Sequence, residues 1–540
     1  MKQQPNHQGV EVLFVHVPKL SNYYKPLDEF MFINFIPMGI FAMCDILNKK
    51  GISSRILHLG VEYINNNRFS VTDYIRDNHV KTVALSLHWH YQAFDVIDVA
   101  RTIKEKHPDI TTVLGGYTAS VFADEIIGTH TCIDCVIVGD GEKGITDLAD
   151  TVAAGNNDWS GVANAVYRDN GAVVNNGVSF TATIADLTKA NYANMEYLDN
   201  YRCYIDYFNM PYFWSLRSSV RQNLKRKMTK AQSMFPLMIG RGCNFNCSYC
   251  GGGRIVQNTI CKRGQPILLP VAKVVDIMEQ AMRFGYDSFI SSFDPFPDDS
   301  SYFHALFKEI RDRGISCGFG FESWSVPRAD LIREFSTTFI HDKSYIAISP
   351  ESGSEEVRKV NKSTFYTNKE LFTILEVINR EKIPALVFLA IGLPGDTAQS
   401  IQESVSFSAT ILKKFRYAKV LTVPTQLEPG SPLYFHPEKY ESKTERNSFA
   451  DFYRYHQRTD SSPYTCLGYA TNSITEANGD IAAFNRYVQE QRCRHFCIIQ
   501  FKLFGKIPVP PVSRFICRIL HRRWKKRGFG APAKERRRFR

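Results

Sequence analysis

Short apolar runs alternate with segments whose apolar positions recur at helical spacing, and they do so over two separate stretches of the chain. In the first, residues 10–17, 52–59, 81–89, 111–116 and 135–142 read as strands, each a compact hydrophobic run closed by a polar or glycine turn. Residues 38–50 read as a helix ending at Gly51, and Phe94, Ile97, Ala100 and Ile103 mark another. Strands and helices in alternation predict a parallel, doubly wound α/β sheet over about residues 10–150, with ligands taken at the carboxyl ends of its strands.

The second stretch, 235–435, repeats the alternation. Strands are expected at 236–242, 287–293, 316–323, 344–353, 385–395 and 418–427, with helices over 271–284, 301–313, 368–381 and 398–415. Six βα units predict a partial (β/α)6 barrel. Between the two stretches, 151–234 reads as a connector: Asn/Gly/Asp-rich over 156–200, aromatic over 201–214, basic over 217–230. Beyond 435 the pattern turns irregular to 513 and gives way to a basic tail at 514–540.

Composition changes this picture mainly by locating the charge. The 540 residues are 44% hydrophobic and carry a formal +12, which excludes a wholly disordered chain. The tail from Arg514 holds twelve Lys/Arg against one acid, Glu535, so the remaining body is close to neutral. A body-wide nucleic-acid surface is therefore not expected. Within the tail, Phe515, Ile516, Ile519, Leu520 and Trp524 interleave with the charges, a pattern that suits peripheral contact with an anionic membrane surface but reads first as a solvated, partly disordered tail. The longest apolar run, 385–393, is far short of the roughly 20 residues of a membrane span. Thirteen cysteines and a polar opening segment predict a cytoplasmic protein with reduced thiols, most of them core fillers such as Cys44, Cys203, Cys317 and Cys466. Cys493, His495 and Cys497 fall short of a four-ligand zinc site and read as packing residues.

One group of cysteines stands apart. Cys243, Cys247 and Cys250 follow a predicted strand directly and precede Gly251–Gly253. No second cysteine pair lies at zinc-site spacing, and three thiolates on one short loop suit an iron–sulfur cubane that keeps one iron open to a small molecule. Glycines after Cys250 are expected to let the backbone run close to the cluster.

The CxxxCxxC spacing, with Tyr249 before the last cysteine, resembles the radical S-adenosylmethionine (SAM) superfamily. The resemblance implies that Cys243, Cys247 and Cys250 hold a [4Fe–4S] cluster whose fourth iron is chelated by SAM, and that reduction cleaves SAM to a 5′-deoxyadenosyl radical. Later segments fall in the superfamily's order. FDPFPDD at 293–299 lies where the SAM amino group is met, which implies Asp294. SPESGS at 349–354 resembles the fourth-strand segment and implies Glu351. IGLPGD at 391–396 resembles the fifth-strand turn, where backbone at Ile391 and Gly392 flanks adenine. LEPGSPLY at 427–434 resembles the sixth-strand segment.

The first stretch resembles the cobalamin-binding domain joined to many of these enzymes. Gly115, Gly116, Gly139 and Gly141 match its glycine positions, Glu142 follows the second turn, and Ser86, Leu87 and His88 match a Ser-x-Leu turn in part. The Asp-x-His-x-x-Gly motif that supplies a cobalt ligand is absent after the first strand, as it often is in the radical SAM branch, which implies cobalamin bound with its tail displaced and no histidine ligand. His88, Trp89 and His90 stand on the strand-end loop, either lining the lower corrin face or serving as hydrogen-bonded packing residues. The glycine pairs by themselves leave open a nucleotide-binding or cofactor-free Rossmann-like domain.

Together the resemblances imply a cobalamin-dependent radical SAM enzyme, foremost a methyltransferase acting on an unactivated carbon or phosphorus centre of a small-molecule or lipid substrate. A flavodoxin- or ferredoxin-type protein would be the reductant. The alternatives are a cyclase or oxidative rearrangement enzyme on the same cofactors, and a non-catalytic RNA- or membrane-associated protein. A methylthiotransferase is disfavoured, since Cys132 and Cys135 are too few for an extra cluster. No acid, base or nucleophile for the substrate is assigned from sequence.

Overall fold

A computed structural model describes residues 9–19, 31–156, 158–207, 233–294, 299–441 and 446–457. Strands β1 (Val12–His16), β2 (Ser54–His58), β3 (Thr82–Ser86), β4 (Thr111–Gly115) and β5 (Cys135–Ile137) run parallel in the order β2-β1-β3-β4-β5. Both faces of this sheet are buried. Val12 and Phe14 point to one layer, where the helix Met38–Lys49 adds Phe41 and Leu47. Leu13 and Val15 point to the other, where the helix Ala93–Lys106 adds Val96, Ala100 and Ile103. Such two-sided burial is why these strands read as unbroken apolar runs rather than alternating ones. The strand order reverses between β1 and β3, which opens a crevice at their carboxyl ends.

The doubly wound sheet and the barrel are as expected, while the connector is not a mere linker. Its residues form β6 (Ala165–Asp169) and β7 (Ala172–Asn175), an antiparallel hairpin that extends the first sheet to seven strands. Leu187, Tyr192, Met195 and Leu198 then enter the main hydrophobic core. Polar spacing around these short strands hid the pairing: β7 is a four-residue exposed edge whose apolar run, Ala172–Val174, is only three residues long.

The second sheet holds β8 (Met234–Pro236), β11 (Ser288–Ser291), β12 (Gly318–Ser323), β13 (Tyr345–Glu351), β14 (Ala385–Ile391) and β15 (Ala418–Pro424), all parallel, in the order β15-β14-β13-β12-β11-β8. Its first strand begins earlier than the expected 236–242. The latter part of that segment instead makes β9 (Gly240–Arg241), which pairs antiparallel with β10 (Ile267–Leu268). Thr367 and Thr397 start the helices Asn368–Arg380 and Ala398–Lys414 as side-chain caps, each bonded to a backbone N–H three residues on. One continuous core joins Val12, Phe14 and Phe41 of the first unit with Phe235, Phe289 and Phe319 of the barrel.

The extension after 435 also contributes structure. The helix Phe449–Gln457 buries Phe449 and Phe452 against Phe122, and Glu125 receives the N–H groups of Phe449 and Ala450 at 2.7 and 2.9 Å. Cys44 and Cys317 are buried as expected, but Cys203 is exposed on its helix. Residues 208–232 and 458–540 lie outside the described residues; these include the basic run at 217–230, Cys466, the Cys493/Cys497 pair and the basic tail. Among the described residues no helix is long and apolar enough to cross a membrane.

Candidate functional site

A cavity of about 620 Å³ lies between the two sheets. Its floor is the carboxyl end of the first sheet (Leu85, Ser86, Gly115, Gly116), its sides are apolar (Phe14, Met38, Met43, Ile137), and its roof is the cysteine loop with Glu351 and Trp324. All three cysteines line it.

The loop is held from outside. Ser248 N–H donates to the Asn361 carbonyl at 2.8 Å, and the Ser248 carbonyl accepts from Leu433 N–H at 2.8 Å. Arg254 N–H reaches the Phe245 carbonyl at 2.8 Å and Ile255 N–H the Asn246 side chain at 2.9 Å. These contacts leave the sulfurs facing the cavity. Backbone N–H groups of Phe245 and Gly252 point at the Cys243 and Cys250 sulfurs at 3.4 and 3.3 Å, the kind of donor that stabilises a cluster thiolate. Without iron, burial pushes Cys243 up to about 11 and Cys250 up to about 12, so ligation displaces protons. Three thiols carried on one short loop at the edge of a shared cavity are a soft, all-sulfur donor set. The donor set fits an iron–sulfur cluster. Of the glycines behind it, a Cβ on Gly251 would meet the Pro429 carbonyl at 2.8 Å and one on Gly253 the Phe245 carbonyl at 2.9 Å. Loop packing, rather than the cluster, requires those two.

On the floor the four predicted glycines divide in the same way. A Cβ on Gly115 would meet nothing within 4 Å, so this residue keeps the cavity itself open. Gly116 has φ +111 and lies against the Leu87 carbonyl, 2.7 Å from a would-be Cβ. At Gly139, φ +72, an added Cβ would collide with the Ile260 carbonyl, in the helix Arg254–Cys261 that follows the cysteine loop. Gly141 faces the Met43 sulfur at 2.9 Å. Open floor and flat apolar sides make a cradle that fits a corrin.

Residues 237–408 match the radical SAM superfamily, and residues 34–149 match the B12 binding domain. The first match contains the three cysteines and the second the four glycines. The chain carries a radical SAM domain and a B12-binding domain. The cofactors of such a pair are a [4Fe–4S] cluster, SAM and cobalamin. Over 127 residues the chain is 30% identical to a hopanoid C-3 methylase from Methylococcus capsulatus, a match spanning 23% of each protein. In fold it is similar to the radical SAM methyltransferase TsrM from Kitasatospora setae (TM-score 0.63, 15% identity, 88% of this chain and 89% of that one). It is also similar to the cobalamin-dependent SAM radical enzyme OxsB (TM-score 0.58, 13% identity, 96% of this chain and 71% of that one). At these identities the two structures establish the shared fold.

The remaining predicted residues of this radical SAM protein are placed unequally. Glu351 lines the cavity at φ +64, on a bulge where β13 loses register with β14; a non-glycine residue there is strained, and the strain turns its carboxylate inward. Burial raises its pKa, against Lys362 and a hydrogen bond from Tyr249. Tyr249 lines the same wall and packs on Val357, Ala390 and Leu393. Asp294 is buried and does not line the cavity. Its oxygens accept from Trp324 N–H, Ser325 N–H and the Ser325 hydroxyl at 2.8–2.9 Å, so it holds the loop that brings Trp324 to the site. Ile391 and Gly392 end β14 outside this cavity, their turn fixed by Asp396, which accepts from Gly392 N–H at 2.9 Å. Leu87 is core. His88 lines the cavity, but Trp89 does not, and His90 is buried against the helix Phe449–Gln457, bonded to His456 at 2.9 Å.

Glu142, at the start of the helix Glu142–Ala153, lines the cavity and is at the same time half of an ion pair. Arg241, two residues before Cys243, donates to Glu142 and to Asp140 (2.8 Å), and Arg263 donates to Asp140 from the other side. Burial and these carboxylates act on Arg241 in opposite directions, and the carboxylates prevail, raising its pKa. Gln257 likewise donates across the boundary to the Tyr117 hydroxyl. The sequence reading missed Arg241, Asp140 and Gln257. Arg241 stands beside the motif, but only the fold shows its partners.

Proposed function

We propose that this protein is a cobalamin-dependent radical SAM methyltransferase acting on an unactivated carbon or phosphorus centre of a small-molecule or lipid substrate. The observation that carries the reading is the single cavity walled by the cluster cysteines on one side and the B12-domain strand ends on the other. When bound, the cofactors supply one-electron cleavage of SAM and a transferable methyl group. This chain's residues do the rest. Cys243, Cys247 and Cys250 would hold the cluster. Glu351 and Tyr249 would receive the polar atoms of SAM. Gly115 and the apolar sides would seat the corrin and exclude water, which protects radical chemistry from side reactions. The name of the hopanoid C-3 methylase relative favours an apolar substrate carbon, and the lining of Phe14, Met38 and Met43 suits one. The basic tail would add peripheral membrane contact, and a flavodoxin- or ferredoxin-type protein the electrons.

The test is anaerobic reconstitution with iron, sulfide and cobalamin, followed by SAM and a low-potential reductant. Formation of 5′-deoxyadenosine together with S-adenosylhomocysteine supports the reading. 5′-Deoxyadenosine alone would move the protein to the cyclase or rearrangement class. Neither product would remove the enzyme reading. Removing residues after Ser513 and measuring vesicle binding tests the tail.

A further inference from the structure

We propose that His88 is the lower ligand of cobalt, facing the corrin from the side opposite the iron–sulfur loop. The assignment rests on the cobalamin reading above and extends it to the one feature the sequence left without a donor.

His88 stands two residues beyond β3, at the crevice where the strand order reverses, and its ring lines the same cavity as the three cysteines. Its backbone is pinned: the His88 carbonyl accepts from the Thr118 N–H at 3.3 Å and the Thr118 hydroxyl at 3.1 Å. Its ring meets those of Trp89 and Tyr117 edge-on, each at 4.9 Å between centroids, which fixes its plane. Neither ring nitrogen has a hydrogen-bond partner among the described residues.

The other histidines near these strand ends are all engaged. His16 bonds the Ile33 carbonyl at 2.7 Å. His58 bonds the Asn34 carbonyl at 2.8 Å and accepts from Val61 N–H at 3.2 Å. His90 pairs with His456. Lys19, the described cation following β1, is committed to Asp95 at 3.3 Å and the His456 carbonyl at 2.8 Å. Of these five, His88 alone lines the cavity. Burial lowers its pKa to about 4, which leaves the imidazole neutral and its lone pair available at ordinary pH. Coordination forms one cobalt–nitrogen bond from that lone pair. The second nitrogen keeps its proton, and nothing is oxidised or reduced.

The experiment is electron paramagnetic resonance of the full chain loaded with cobalamin and reduced to Co(II), prepared with natural-abundance and with 15N-labelled histidine. The expected result is cobalt lines split into triplets that become doublets on labelling. The splitting is lost in His88→Ala while bound corrin, measured by mass and visible absorbance, is retained. Unsplit lines overturn the assignment, as do triplets indifferent to the label, which would come from the corrin's own nucleotide base. The labelled wild-type sample decides whether a histidine is the ligand. Should His88→Ala fail to fold, His88→Gln, which keeps a polar side chain of similar reach, must also lose the label-sensitive splitting. A label-sensitive splitting retained in a folded His88 variant overturns the assignment. Absence of any bound corrin would instead overturn the cobalamin reading, and this assignment with it.

Discussion

The roof and the floor of the cavity present opposite solutions to holding a cofactor. The roof works through side chains: three thiols projected from a loop whose backbone is tied down elsewhere, at Asn361 and Leu433. The floor works through missing side chains, and of its four glycines only Gly115 is bare for the cavity's sake. The difference teaches that a ligating motif announces its chemistry by residue type, whereas a glycine motif mixes sites of contact with sites of packing.

The largest effect should come from the roof. Cys247→Ala removes one of three cluster ligands, and 5′-deoxyadenosine should fall to background by mass spectrometry while corrin content stays unchanged. Loss of corrin as well would show that roof and floor are not separable. Next is the contact that joins them. Arg241→Ala leaves Glu142 buried, its only hydrogen-bond donor among the described residues gone and its second oxygen without a partner among them. Stranding a buried charge costs about 3–5 kcal/mol, so thermal or urea unfolding should shift clearly. Adding Glu142→Gln should recover part of the loss. No recovery would mean the pair does not carry the effect.

Within the floor, Gly139→Ala and Gly115→Ala separate packing from contact. At Gly139 the added methyl collides with the Ile260 carbonyl at a left-handed φ, and stability should fall by about 2–3 kcal/mol. At Gly115 unfolding should move by less than about 0.5 kcal/mol. Cobalamin binding there should still weaken by about 1–3 kcal/mol, from overpacking against the corrin. Equal effects on stability at the two sites would break the distinction.

The gentlest probe is pH. Burial lowers His58 to about 4 and His16 well below its ordinary value. Unfolded histidine takes its proton near 6.5, so the unfolded chain binds more protons between about 6.5 and 4, and stability is lost as pH falls through that window. Melting temperature should drop from pH 7 to 5, and His58→Asn, which keeps an acceptor for Val61 N–H, should flatten the slope. A flat profile in the wild type would contradict neutral burial.

Much of this was legible in the sequence, for physical reasons. Two-sided burial makes parallel strands read as apolar runs, so β1 to β5 and the barrel strands β11 to β15 stood out. The cysteine loop was legible because thiols at that spacing have few other uses. What escaped depended on pairing at a distance. The β6–β7 hairpin offers apolar runs of only three residues each, Ala165–Tyr167 and Ala172–Val174, set among Asn, Gly and Asp. Asp294 met its partners only through the turn at Ser325. Arg241 found its carboxylates about a hundred residues away.

The central claim is that the cluster and cobalamin share one cavity. The direct measurement is electron paramagnetic resonance of reduced protein carrying both a [4Fe–4S] cluster and Co(II) cobalamin, compared with samples carrying each alone. The account predicts signals broadened or split by mutual coupling of the two centres. A spectrum that is the plain sum of the single-cofactor spectra would contradict it.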